Sequence, residues 1–287
     1  MFQGTVTSAD GTPIAYSAWG DGAPIVIIDG ATAYRAVTPE NERVGELLAR
    51  SFRVINYDRR GRGESGDTAP YAVEREFDDL AAIIAGPGEG RAATVFAWSS
   101  GGFLALNAAQ AGVPIARLAL FEPPAVADDS RPPLPADYVE RLDAAVAAGK
   151  PGDAAELFLT AAVLMPPEFV EGMRGSEMWP ALEAVAPTIA YDGRQVGDAM
   201  SGEPLRTERW GGVDVPVLVM YGEGTWPFLA AGARAVAAVL SNAMVKAVPG
   251  ENHSTTAGVL APELRAFASG DDRAASDRTA FDHTEEA

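Results

Sequence analysis

The 287-residue chain carries forty acidic and twenty-two basic side chains, a formal charge of −18, and no cysteine. That charge argues against nucleic acid or an anionic membrane as a partner, and the lack of cysteine excludes disulfides and thiolate metal sites. The N-terminal MFQGTVTSADG has no basic or apolar leader region, and no apolar stretch approaches a membrane span, so a soluble, cytoplasmic protein with an ample core is expected.

The chain opens with two β-rich runs, QGTVTSA and PIAYSAW, joined by Asp10-Gly11-Thr12 and read as a hairpin. PIVIID (24–29) is a continuous apolar run, as expected of a buried parallel strand, and it ends in Asp29-Gly30. A helix over 39–51 presents Val44, Leu47 and Leu48 on one face. FRVINYD (52–58) is a second buried strand, and the loop RRGRGESGDTAP follows it. A helix over 73–85, a strand TVFAW (94–98), a serine-containing turn with its own helix, and a strand ARLALFE (116–122) come next.

From 125 to 210 the strand rhythm stops, and short helical segments with proline stops take over. Strands return at VPVLVMYG (215–222) and AMVKAVPG (243–250), with helices at 228–240 and 258–268. This order predicts an α/β fold: a mostly parallel central sheet flanked by helices, with a core of 1–124 and 211–268. Residues 125–210 form a helical cap inserted between strands, and 269–287 a disordered tail. Gly61-Arg62-Gly63-Glu64-Ser65-Gly66 matches a dinucleotide-binding glycine pattern, but Asp67-Thr68-Ala69-Pro70 continues it as loop rather than helix, so that reading fails.

VFAWSSGGFLAL (95–106) places Ser99 on a sharp strand-to-helix turn, where a nucleophile would be exposed. The bland alternative is a helix N-cap. Of the two histidines, His283 lies in the expected tail and His253 in a loop after the last strand, at the sheet edge that Ser99 occupies. Serine early and histidine after the final strand is the chain order of a Ser-acid-His triad. The acid that would orient the imidazole is Glu122, at the end of ARLALFE, in preference to Glu223 in the GEGTWP loop.

Together PIVIIDG, NYDRRGRGES, VFAWSSGGF, LALFEPP, VPVLVMYGEG and VPGENHS resemble the α/β-hydrolase superfamily over roughly residues 3–268. Asp29-Gly30, the Ser99-Ser100-Gly101 elbow and Glu122 look more specifically like the zearalenone-type lactone hydrolases. Ala97 departs from the glycine usual at the first position of the elbow. The resemblance implies a Ser99–His253–Glu122 triad and oxyanion donors from Ser100 and from Gly30 or Ala31. It also implies a substrate-recognising cap, with Trp179 as a cap aromatic; Trp98 and Trp226, which flank the catalytic loops, are the other candidate substrate contacts.

The expected activity is hydrolysis of an ester or lactone of an apolar small molecule by acyl-enzyme chemistry, without metal or organic cofactor. The alternatives are an acyltransferase or a cofactor-free cyclase or lyase using the same pocket, and a non-catalytic ligand-binding protein. The expected partner is the small-molecule substrate, not nucleic acid or membrane; a homodimer is compatible with these features.

Overall fold

The computed structural model describes residues 1–271. Eight strands form one sheet in the order β1-β2-β4-β3-β5-β6-β7-β8. The hairpin β1 (Phe2–Thr7) and β2 (Pro13–Trp19) is antiparallel, and β2 pairs antiparallel with β4 (Phe52–Tyr57). Every later pairing is parallel, through β3 (Ala23–Ile28), β5 (Ala93–Trp98), β6 (Ile115–Phe121), β7 (Val217–Gly224) and β8 (Ala243–Glu251).

Side chains alternate across a strand, so a run buried on both sides must be apolar at every position. On β3, Val26 and Ile28 enter one core, and Ile25 and Ile27 enter the other. The first core is closed by α2 (Val73–Ala85), α3 (Gly101–Gln110) and α9 (Pro227–Ala238), which supply Leu80, Leu104 and Val236. The second is closed by α1 (Pro39–Leu48) and α10 (Ala257–Ser269), through Leu48, Leu264 and Phe267. The α10 helix runs to Ser269, and Gly270, at φ 74°, caps it in the left-handed conformation. The rest of the expected tail, from 272 on and including His283, lies outside the described residues.

Between β6 and β7 the chain forms α4 (Tyr138–Ala147), α5 (Pro151–Leu157), α6 (Pro167–Arg174), α7 (Trp179–Val185) and α8 (Ile189–Val196). In α5, α6 and α7, proline occupies the first turn rather than terminating a helix. There its missing N–H removes no intrahelical bond. These helices, with the helical segment Phe158–Ala162 that continues α5, share a core of their own, built on Tyr138, Leu142, Leu159, Trp179 and Ile189. No helix among the described residues is long and apolar enough to cross a membrane.

Candidate active site

Parallel strands bring their carboxyl ends to one edge of the sheet, and the loops leaving that edge carry the candidate residues. Ser99 follows β5, Glu122 follows β6, Asp29 and Gly30 follow β3, and His253 follows β8. Two ladder hydrogen bonds continue past the strand ends: Ser99 N donates to the Phe121 carbonyl and Glu122 N to the Met220 carbonyl, each at 2.9 Å. The sheet register therefore fixes both backbones.

Ser99, Glu122 and His253 all have left-handed backbones, with φ of 50°, 48° and 61°. Non-glycine residues in that region are uncommon and gather where function over-determines the backbone. Asn252 (φ 52°) and His253 are the central residues of a tight turn in which Glu251 and Ser254 exchange both backbone hydrogen bonds, at 3.0 and 2.9 Å. Two positive φ values in sequence are what such a turn requires.

The imidazole and the carboxylate are in contact. His253 Nδ1 lies 2.5 Å from Glu122 Oε2, and Glu122 Oε1 accepts the Gly222 N–H at 2.8 Å. Glu122 is fully buried, so both of its oxygens are occupied inside the protein. Glu223, the alternative acid, is exposed near the end of strand β7, and the nitrogen it would hold is already engaged by Glu122.

The turn at Ser99 tolerates Ala97 because that methyl enters the core between Ile28 and Leu120, with which it is in register. The glycine requirement lies elsewhere. A Cβ at Gly101 would stand 2.8 Å from the Asp29 carbonyl, and one at Gly30 would stand 2.9 Å from Ser99 Cβ. Both distances are too short for a side chain, so these two glycines let the β3 loop and the elbow approach. Ser100 occupies the N-cap position of α3 but makes no side-chain cap; its hydroxyl donates to Asp192 Oδ1 at 2.7 Å. The N–H groups of Ala31 and Ser100 have no hydrogen-bond acceptor among the described residues.

A cavity of about 460 Å³ joins these groups, with Ser99, Ser100, Gly30, Ala31 and His253 in its wall. The sheet side adds Trp98 and Trp226; the inserted helices add Tyr138, Phe158, Ile189 and Val196. Trp98 is oriented by its indole N–H, which donates to Asn41 Oδ1 at 2.8 Å. Trp226 is partly exposed and stacks on Phe228, with ring centroids 6.0 Å apart. Trp179 is a correction to the sequence expectation. It does not line the cavity; it is buried in the inserted helices' own core, with the Arg174 guanidinium 5.1 Å from its ring centroid. An amphipathic helix facing its neighbours can absorb a large aromatic in this way.

Asp29 and Asp192 also line the cavity, and the sequence reading assigned neither a role. Burial pushes the Asp29 carboxyl up to about 6, against the opposing hydrogen bonds from Asn56 and Asn41. Burial likewise opposes ionisation of Asp192, but the charges of Arg59 and Arg62 reverse that and hold it below the usual carboxylate range. The available signal was the three arginines at 59, 60 and 62 directly after a buried strand. All three are buried, and buried guanidinium groups require carboxylates. Among the described residues no group of three or more His, Asp or Glu is arranged to hold a metal ion.

A profile of the alpha/beta hydrolase family matches residues 22–266. The crystal structure of an alpha/beta hydrolase from Sphaerobacter thermophilus is 46% identical with a TM-score of 0.81, covering 92% of this chain and 99% of that one. A non-heme chloroperoxidase from Streptomyces lividans is 29% identical over 92% of this chain and 99% of its own length. A thermophilic esterase from Thermogutta terrifontis, 22% identical with a TM-score of 0.63 and 96% of each chain covered, shares the fold. The chain belongs to the alpha/beta hydrolase family.

Proposed function

We propose that the chain is a serine hydrolase that cleaves esters or lactones of uncharged, apolar small molecules through an acyl-enzyme on Ser99. The observation that carries this reading is the contact of His253 Nδ1 with the buried Glu122 carboxylate at the cavity edge that holds Ser99. With Nδ1 engaged, Nε2 is the nitrogen left to exchange protons with Ser99 and the leaving group.

Ser99 Oγ attacks the carbonyl carbon and its proton passes to His253. The oxygen becomes an oxyanion facing the Ala31 and Ser100 N–H groups, whose lack of an internal acceptor supports this role. Collapse breaks the C–O bond, and His253 protonates the departing alkoxide. Water, deprotonated by His253, then releases the acid and restores Ser99. Glu122 holds the imidazole tautomer and stabilises the imidazolium. The inserted helices act as the cap that shapes the substrate.

Among the described residues the cavity lining includes no lysine or arginine, and Asp29 and Glu40 contribute carboxylates; that of Asp192 is offset by the Arg59 and Arg62 guanidinium groups it bonds. Such a lining disfavours a substrate that carries its own carboxylate. Lactones belong in the proposed range because Asp29-Gly30, the Ser-Ser-Gly elbow and Glu122 look like the zearalenone-type lactone hydrolases. Acyl transfer is the second reading, since the curated relatives are named haloperoxidases and an acceptor other than water deserves a trial.

The test is a panel of neutral esters and lactones beside carboxylate-bearing esters, assayed with and without added alcohol or hydrogen peroxide, with Ser99→Ala as control. The proposal expects Ser99-dependent hydrolysis that favours the neutral apolar members. Preferential turnover of the carboxylate-bearing esters contradicts it, and product formed mainly with an acceptor moves acyl transfer ahead.

A further inference from the structure

In the cavity wall and behind it, buried charges are organised around the two candidate oxyanion donors. Arg62 donates through Nη1 to the Gly30 carbonyl at 2.6 Å, through Nε to Thr188 Oγ1 at 2.9 Å, and through Nη2 to Asp192. Asp192 Oδ1 accepts the Ser100 hydroxyl at 2.7 Å and Arg59 Nη1 at 2.6 Å. Arg59 is held from behind by both oxygens of Glu76, at 2.7 and 2.9 Å. Arg59, Arg62, Ser100 and Asp192 are all at least 95% buried.

The Gly30 carbonyl and the Ala31 N–H belong to one planar peptide unit, so a donor fixed on the oxygen fixes the direction of the N–H. A charged donor on that oxygen also polarises the amide and strengthens its N–H as a donor. The second amide is tethered differently. Ser100 gives its hydroxyl to Asp192 although it stands at the N-cap of α3, where a serine ordinarily bonds the helix's own free N–H groups. Gly30 and Ser100 sit on separate loops of the sheet, whereas Thr188 and Asp192 come from the inserted helices. One cluster thus spans both donors and the insertion. A lone carboxylate beside a developing oxyanion would oppose it; the Arg59 and Arg62 charges offset that effect.

We propose that Asp192, acting through Ser100 and Arg62, is a positioning residue that sets the aim of the Ala31 and Ser100 N–H groups, so that docking of the inserted helices completes the oxyanion hole. This inference rests on Ser99 being the nucleophile. It makes the insertion part of the catalytic apparatus as well as a wall of the pocket.

The experiment compares a neutral aryl ester with its thionoester in the parent, Ser100→Ala and Asp192→Asn chains. Sulfur accepts hydrogen bonds poorly, so the oxo/thiono ratio of kcat/KM reports the oxyanion donors and is blind to a general loss of active protein. Loss of one such donor costs about 10²–10³ in rate; misaiming by Ser100→Ala is expected to lower the oxoester kcat about tenfold or more, with KM little changed. The oxo/thiono ratio falls with it, and the pH–rate profile keeps its shape because the imidazole and Glu122 are untouched. Asp192→Asn moves the ratio the same way and further; if that chain does not fold, Ser100→Ala decides alone. Ser99-dependent turnover with an unchanged ratio overturns this inference and leaves the hydrolase reading standing. Turnover that survives Ser99→Ala overturns both.

Discussion

The two halves of the cavity are built on different principles. The sheet half is set by backbone: parallel register delivers Ser99, Glu122, Gly30 and His253 to one edge, and three of them hold left-handed φ values, Ser99 and Glu122 under ladder hydrogen bonds and His253 in a closed turn. The inserted half is set by side chains: a separate apolar core positions the helices, and one buried ion cluster attaches them to the sheet loops. Backbone register fixes atoms tightly enough for chemistry. A packed helical layer can exchange its lining residues without disturbing that register, which suits it to choosing substrates.

The largest effects are expected in the sheet half. Ser99→Ala is expected to lower kcat by about 10⁵–10⁶, as loss of a triad nucleophile does, and His253→Ala by a similar factor. Glu122→Gln is expected to lower kcat about 10⁴-fold by losing the imidazole's orientation, while Glu223→Gln leaves it unchanged. Steady-state kinetics on a neutral ester checks all four; equal losses at Glu122 and Glu223 would end the assignment of the acid.

A stability effect of middle size separates Asp29 from the proposed triad. Burial holds its carboxyl at about 6 against an ordinary 3.8, so the folded chain keeps a proton that the unfolded chain releases. Stability falls as pH rises between about 4 and 6, by an amount on the order of 3 kcal/mol from this group, and is level above that window. Asp29→Asn removes the component, so the variant's stability relative to the parent should climb across the same window and then stay constant. Urea unfolding at several pH values measures it; a constant difference throughout means that Asp29 is already ionised near pH 4.

Substitutions in the inserted half are expected to have smaller effects. Phe158→Ala is expected to reduce kcat/KM about tenfold for bulky apolar esters and hardly at all for acetates, the scale of a lost apolar contact. Trp179→Phe is expected to leave KM within about twofold, because its ring packs between inserted helices rather than on the substrate. A large KM change at Trp179 would return it to the pocket.

The sheet half was also the legible half. Apolar runs such as PIVII and VFAW announce two-sided burial, and strand-end residues in a parallel sheet share an edge without further information, which is why Ser99, His253 and Glu122 could be grouped from chain order alone. Chain order preferred Glu122 but left Glu223 open; the geometric difference is that β7 keeps pairing with β8 through Gly224, leaving Glu223 exposed. The insertion was less legible because its helices are short and pack on one another. Periodicity marked their apolar faces without saying which face met the cavity, so Trp179 was misassigned. Asp192 was invisible for a different reason: its partners Arg59 and Arg62 are more than a hundred residues away, and nothing local in IAYDGRQV indicates that its aspartate is buried. The arginine run after β4 signalled that carboxylates were needed but not which ones.

Whether Ser99 is an activated nucleophile is decided by reaction with a fluorophosphonate probe followed by peptide mapping. The prediction is a single adduct on Ser99, absent when His253 is replaced by alanine. A folded chain that takes no label, or takes it on another residue, would contradict an activated Ser99.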